Sequence, residues 1–429
     1  EAEEVIRHAV YEARRRNPIT EPTVFEFISK VLLGEVKEDL QEAREAWVGR
    51  FQQYTAPLAA KGVEDTTFYR YLRLAALNEV GGEPDHFGVT PQAFHAHARF
   101  RAHRYPHNLL ATATHDHKRG EDTRMRMIVL AERHEAWQET LDKLSARARQ
   151  QPLERLPADG DVYLFYQVLV ALFAGAERDG LKERLSDYMQ KAAREAKEQT
   201  SWLNPDSDYE AALERFIAST LDDPELAATI GPLARELARY GFRNSLSQLV
   251  LKLTSPGVPD LYQGTELLDL SLVDPDNRRP VDFKERAELL EDFEPLLTSP
   301  DAEALGAMLE AEEERLKLYL TARLLRFRKV HQELFEGGYQ ALEPQGPAAA
   351  HFLAYLRDAE EASLLVVVTR FPAVLEGLDA QGQGGTRLPL PDRLQGSDWT
   401  DVLTGQTVSA DEALDLADLP LPWLVLVRG

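Results

Sequence analysis

The residues best suited to chemistry lie in one stretch, Thr114-His115-Asp116-His117-Lys118-Arg119-Gly120-Glu121-Asp122. It follows the apolar run Leu109-Leu110-Ala111-Thr112-Ala113, which is too short for a helix and reads as a buried strand. An α/β barrel presents its catalytic side chains at the C-terminal ends of such strands. A His-Asp pair placed there can bind neighbouring sugar hydroxyls through charge-assisted hydrogen bonds. A solvated charged turn would share this composition; the strand before it and the density of ionisable groups favour a site. His95, His97, His103, His107, His115 and His117 invite a metal reading, but their spacing fits no zinc template, and no metal is expected.

Two further groups stand out. In Lys61-Gly62-Val63-Glu64-Asp65-Thr66-Thr67-Phe68-Tyr69-Arg70-Tyr71, acids, bases and aromatics alternate in a way that serves neither a helix stripe nor a strand. Aromatic faces flanked by charged donors suit a sugar, whose ring stacks while its hydroxyls take hydrogen bonds. An exposed helix start would look the same, and the residues alone leave the two readings level. Gly257-Val258-Pro259-Asp260-Leu261-Tyr262-Gln263-Gly264-Thr265-Glu266 reads as a buried strand with a polar loop after it. The following Asp274-Pro275-Asp276-Asn277-Arg278-Arg279 lacks the glycine and distal glutamate of a calcium loop, so Arg–Asp pairing is the expected structure there.

The elements that must position these groups follow from periodicity. Val5, Ile6, Ala9, Val10 and Ala13 share a helix face that Pro18 ends. Thr23 is the expected cap of the next helix, with Val24, Phe27, Ile28, Val31 and Leu32 on its buried side. Leu40, Ala43, Trp47, Phe51, Tyr54 and Leu58 mark a third helix with Gly62 as its expected C-cap. Trp47, Phe51 and Tyr54 could be drawn as a sugar-stacking stripe, but at that spacing core packing is the expectation. A helical block spans about 123–240, a helix runs from Leu246 to Leu253, and Glu310 to His331 is one amphipathic segment. Beyond Gly337, His351–Leu356, Leu364–Thr369, Trp399–Leu403 and Leu421–Val427 read as strands between polar loops, a small β domain of sandwich type.

Composition sets the outer limits. The 429 residues suggest two or three domains at roughly 150 residues each. Apolar residues at 44% and charged ones at 28% give ample material for a core. Lys plus Arg number 49 against 72 Asp plus Glu, a net charge of −23. Such a surface repels phosphate backbones and anionic membranes, so neither nucleic acid nor membrane is an expected partner, and a neutral substrate fits better. The absence of cysteine removes disulfides, thiolate metal sites and cysteine nucleophiles. No apolar run reaches the roughly 18 residues of a membrane helix. The start, Glu1-Ala2-Glu3-Glu4, has neither an initiator Met nor a signal segment, so the expectation is a cytoplasmic protein represented by a fragment.

Gly257 to Glu266 resembles the last-strand segment of the α-amylase superfamily of glycoside hydrolases. Five segments in order narrow the resemblance: Lys61-Gly62-Val63-Glu64-Asp65-Thr66; Leu77-Asn78-Glu79-Val80-Gly81-Gly82; Thr114-His115-Asp116 with Lys118-Arg119; Thr200-Ser201-Trp202-Leu203-Asn204-Pro205; and Ser271 to Pro280. Together they resemble the maltooligosyltrehalose synthase family. Two positions depart from that pattern, His117 where Thr is usual and Gly120 where Ser is usual.

The resemblance implies the last strands of a TIM-type α/β barrel with large helical insertions, plus a C-terminal all-β sandwich. The implied division is 1–122, a helical subdomain leading into the strand before Asp116; 123–240, a helical insertion; 241–336, the last barrel strand and helices; and 337–429, the β domain. The implied activity is intramolecular transglucosylation, turning the reducing-end α-1,4 linkage of a maltooligosaccharide into an α,α-1,1 linkage without a cofactor. Retaining chemistry of this kind needs a nucleophile and a general acid about 5 Å apart. The family carries them on earlier strands, so this chain is expected to lack both and to be inactive alone, its partners being a maltooligosaccharide and the missing N-terminal portion. Asp116 matches the third carboxylate, which binds the distorted sugar. By resemblance His115 contacts the same sugar, and Lys61, Glu64, Asp65, Lys118 and Arg119 shape the reducing-end pocket. The alternatives are a non-catalytic glucan-binding or scaffold protein and an amylase-type hydrolase.

Overall fold

The structure is a computed structural model and describes residues 2–173, 180–378, 384–417, 419 and 421–429. The chain divides into two compact units, Glu1–Thr67 and Phe68–Gly429.

The first unit holds helices α1 (Ala2–Arg16), α2 (Pro22–Leu33) and α3 (Gln41–Ala59). Helix α1 ends before Pro18, as the missing proline N–H requires. Helix α2 starts one residue before the expected cap. Pro22 occupies its first turn, where a missing N–H costs nothing, so Glu21 and not Thr23 stands at the N-cap. Nor does Gly62 stop α3. The chain widens instead into a π-helical turn over Ala60–Glu64, and the hydroxyls of Thr66 and Thr67 donate to the carbonyls of Lys61 and Gly62 at 2.7 and 2.8 Å. Those threonines do the work expected of a glycine cap. Trp47 and Phe51 stack at 5.0 Å, yet no residue of α3 is buried, so the expected core role of this stripe is not realised.

The second unit opens with α4 (Pro91–Arg104), capped by the Thr90 hydroxyl, which accepts from the Ala93 N–H at 3.1 Å. Strand β1 (Leu109–Leu110) leads through a ten-residue-scale loop into α5 (Glu121–Glu132). Helices α6 (His134–Ala148), α7 (Asp159–Leu172), α8 (Leu181–Ala196), α9 (Ser207–Leu221) and α10 (Leu226–Thr254) follow. They pack around Met127, Phe165, Leu169, Phe216, Ile217 and Leu237, each essentially without exposure. Strand β2 (Val258–Pro259) then pairs in parallel with β1, Leu109 opposite Val258. Gly257 makes this pairing possible: its φ is +129°, and a Cβ would come within 2.7 Å of Leu110 and 2.8 Å of the Asn108 carbonyl.

Helices α11 (Phe283–Asp292), α12 (Glu294–Thr298), α13 (Ala302–Glu310), α14 (Arg315–Val330) and α15 (Gln332–Glu336) come next. The single segment expected from Glu310 to His331 is therefore interrupted: α13 ends at Glu310, and Glu312 takes a left-handed φ of 54° before α14 begins.

The C-terminal part contains β3 (Gly338–Leu342), β4 (Phe352–Asp358), β5 (Ser363–Thr369), α16 (Pro372–Gly377), β6 (Arg387–Pro389), β7 (Ser397–Asp401), β8 (Thr407–Ala410), β9 (Ala413–Asp415) and β10 (Trp423–Arg428). An antiparallel sheet runs in the order β3-β4-β5-β10-β7-β8, and β6 pairs with β9 beside it. Alternation decides which core each residue joins. Leu364, Val366, Val368, Trp423 and Val425 face α10 and α14, whereas Leu365, Val367, Leu424 and Leu426 face Leu388, Trp399 and Leu414. Both faces of β5 are thus dry, which is why its sequence is a continuous apolar run. The four strands expected from sequence correspond to β4, β5, β7 and β10. The large sheet meets helices on one face and the small pair on the other, so it is not a free-standing two-sheet sandwich.

Candidate functional site

Strands β1 and β2 end on the same side because they are parallel, and the two loops that leave them interlock. The Gly120 N–H donates to the Ser271 carbonyl at 2.8 Å, and Arg119 bridges to Leu272. The Thr123 hydroxyl donates to the same Ser271 carbonyl at 3.1 Å. The Asn277 amide donates to the His115 carbonyl at 3.1 Å. Gly120 is demanded by this contact: a Cβ there would sit 2.5 Å from the Asp269 carbonyl oxygen. The departure from serine at this position therefore has a local physical reason.

The Thr114–Arg119 turn sorts its side chains by depth. His115 is exposed and Asp116 is 57% exposed, while His117, Lys118 and Arg119 are buried. The Lys118 ammonium, itself almost wholly buried, approaches the Asp116 carboxylate to 3.7 Å. Beneath the turn lies Glu79, whose carboxylate accepts from the backbone N–H of Lys118 at 2.8 Å, of Arg119 at 3.2 Å and of Val80 at 2.9 Å. The Arg119 guanidinium donates to Tyr188 Oη at 2.7 Å and to the Asn78 carbonyl at 2.6 Å. Burial pushes the His117 imidazole below its ordinary value, so it stays neutral with Nδ1 2.8 Å from the Thr114 hydroxyl.

Below the turn, at the start of α5, four charges are shut away from water. Lys317 from α14 lies 2.7 Å from Glu121 and 2.7 Å from Asp122, and Lys252 from α10 lies 3.4 Å from Glu121. Lys252 also donates to Thr112 Oγ1 at 2.8 Å, and Lys317 to the Leu267 carbonyl at 3.1 Å. Burial would raise the Glu121 carboxyl, but the ammonium groups of Lys317 and Lys252 outweigh it and hold it down at about 2. The network joins α5, α10 and α14 under the two loops.

Of the residues singled out from sequence, His115, Asp116, Lys118 and Arg119 share one turn. Lys61, Glu64 and Asp65 lie in the first unit, in the wide turn after α3, where Lys61 pairs with Asp65. The loop from Asp274 to Arg279 is knitted by ion pairs as expected: Arg184 grips Asp276 through two bonds of 2.9 Å, and Arg278 meets Asp274 at 2.5 Å. His95 is taken up by a bond of 2.7 Å to Tyr339 Oη. Among the described residues, no group of three or more His, Asp or Glu side chains is arranged to hold a metal ion. Sequence reading passed over Glu79, Lys252 and Lys317. Glu79 lies inside the Leu77–Gly82 motif, whose polar residues mark it; the two lysines lie in ordinary helical stretches far along the chain and carry no local signal.

Fold and site together define an α/β chain whose polar loops follow parallel strand ends and which carries an antiparallel sheet. No family model matches the chain. Two curated relatives, from Mycobacterium tuberculosis strains CDC 1551 / Oshkosh and H37Rv and both assigned as maltooligosyl trehalose synthases, are 40% identical over 383 residues, 88% of this chain and 45% of theirs. The solved maltooligosyltrehalose synthase of Arthrobacter ramosus matches all of this chain and 51% of its own with a TM-score of 0.80 at 34% identity. A further crystal structure of a maltooligosyl trehalose synthase matches with a TM-score of 0.73 at 28% identity, over 57% of that chain. Over the region these matches cover, the chain is similar in sequence and fold to maltooligosyltrehalose synthases. It spans about half the length of the curated relatives it matches.

Proposed function

We propose that this chain is the C-terminal portion of an intramolecular transglucosylase that isomerises the reducing end of a maltooligosaccharide, and that Asp116 is one of its three catalytic carboxylates. The observation that carries this is the Thr-His-Asp turn at the end of β1, with an accessible carboxylate held on a buried scaffold. In this reading β1 and β2 are the last two strands of a barrel, with α6 to α9 inserted between them and the β domain beginning near residue 337.

The reaction breaks the reducing-end α-1,4 bond as a carboxylate elsewhere in the longer protein attacks the anomeric carbon, while a carboxylic acid protonates the departing glycosidic oxygen. The resulting glycosyl ester is then attacked by the anomeric hydroxyl of the released glucose, which forms the α,α-1,1 bond and regenerates both groups. Asp116 accepts hydrogen bonds from hydroxyls of the distorted sugar, an interaction that strengthens as positive charge builds on the ring. His115 binds the same sugar, and Lys118 fixes the carboxylate in the turn. Arg119, buried beneath the turn, braces it through Tyr188 and the Asn78 carbonyl beside the pocket that retains the glucose. Keeping water out of that pocket separates isomerisation from hydrolysis. A cytoplasmic place of work suits a cysteine-free chain in which no described helix is long and apolar enough to cross a membrane.

The test is to incubate the chain with maltopentaose and follow reducing ends. With the chain alone they persist; with the longer enzyme they disappear without release of glucose. Loss of reducing ends with the chain alone would overturn the assignment of the other two carboxylates, and their increase with the longer enzyme would mark a hydrolase.

A further inference from the structure

Beside the Thr114–Arg119 turn lies a groove of about 710 Å³, within the range of small-molecule sites, walled by α8, by the Val273–Arg279 segment and by Trp202. Its wall is tied to the turn: Tyr188 receives the Arg119 bond, and Asn277, next to Asp276 and Arg278 of the wall, donates to the His115 carbonyl.

Trp202 is 53% exposed, an unusual position for an indole that nothing requires at the surface, and it is held there firmly. Its Nε1–H donates to Glu195 at 2.9 Å, and the Arg194 guanidinium covers its ring at 4.8 Å. Arg194 is fixed in turn by Glu210 through bonds of 2.8 and 2.6 Å. The Thr200 hydroxyl donates to Glu210 at 2.8 Å and accepts the Asp206 N–H at 2.9 Å, so the loop carrying the indole is pinned at both ends. The opposite wall carries charge, but in compensated form. Arg184 pairs with Asp276 at 2.9 Å, Arg278 with Asp274 at 2.5 Å, and Lys191 with Asp274 at 3.9 Å. Hydrogen-bonding groups are plentiful there while no single sign of charge dominates.

A rigid exposed indole facing a charge-compensated polar wall suits a ring with apolar faces and hydroxyl edges. We propose that the Trp202 groove binds glucosyl units of a neutral α-1,4-glucan, the sugar ring stacked on the indole and its hydroxyls bonded to the Asp274–Arg278 wall. This rests on the glucan reading of the Asp116 turn and adds a second place where the glucan is held.

The experiment uses the full chain labelled with 5-fluorotryptophan, whose five fluorine resonances report Trp47, Trp137, Trp202, Trp399 and Trp423 separately. Trp202→Phe assigns the relevant signal, and the buried Trp137, Trp399 and Trp423 report intact folding in every variant. Titration with maltoheptaose to about 20 mM, paired with calorimetry, is expected to move the Trp202 signal saturably, and Trp202→Ala to weaken binding by about tenfold. Heat of binding with an unmoved Trp202 signal and an unaltered Trp202→Ala affinity would overturn the groove and leave the glucan reading standing. No heat and no shifted signal would overturn both.

Discussion

Glu79 holds the turn that carries Asp116, because one buried carboxylate accepts three backbone N–H groups, two of them inside that turn. Glu79→Ala should therefore destabilise the chain by about 3–5 kcal/mol in urea unfolding, since hydrogen bonds to a charged group are lost and their donors stay buried. Glu79→Gln keeps one acceptor oxygen and should fall between that variant and the parent. Gly120→Ser should cost about 1–3 kcal/mol by the same measurement, because the new side chain must displace the Asp269 backbone. An unchanged midpoint for Gly120→Ser would mean that the two loops are looser than these contacts imply. That His115, Asp116, Lys118 and Arg119 share one turn was readable from sequence, because a short apolar strand runs directly into them. Glu79 shows in sequence only as one residue of a motif: its importance arises from N–H groups 39 and 40 positions away, which no local pattern records.

At the scale of elements, α5, α10 and α14 are joined by Lys317, Lys252, Glu121 and Asp122 beneath the interlocked loops. The Glu121 carboxyl is held at about 2 in the folded chain against an ordinary value near 4.5. Its folded value is the lower one, so its stabilising contribution is complete above about pH 4.5 and is lost as the pH falls towards 2. Unfolding between pH 5 and 2, followed by circular dichroism, should show that loss. Lys317→Met leaves two buried carboxylates short of their cation, so it should cost about 3–5 kcal/mol and move acid unfolding to higher pH. An acid midpoint identical to the parent's would show that the network does not support α5. Helices and long strands were readable from periodicity, but their ends were less so. Pro22 moved the start of α2, Thr66 and Thr67 replaced the expected glycine cap, and a left-handed Glu312 broke a segment whose apolar spacing looked continuous. The short strands β3, β6, β8 and β9 were missed because pairing partners, not their own residues, define them.

The whole molecule carries a net charge of −23, yet its proposed ligand is neutral. Binding of maltoheptaose should therefore change by less than about twofold between roughly 50 and 500 mM salt, whereas binding of a charged ligand would weaken markedly. A steep salt dependence would point to an anionic or cationic ligand instead. The β domain was recognisable as a change of character after Gly337, but sequence did not show that its large sheet shares a core with α10 and α14. That sharing ties the sheet to the helix carrying Lys252 and the helix carrying Lys317, and through them to the Asp116 turn. The central claim is that the Asp116 carboxylate stabilises the transition state of transglucosylation. Its most direct test is the turnover of Asp116→Asn in a full-length synthase carrying this chain's sequence over the matched region, with reducing-end loss from maltopentaose as the readout. A fall in kcat of about a hundredfold or more is predicted, with little change in melting temperature because the side chain is exposed. Turnover within about tenfold of the parent would contradict the claim.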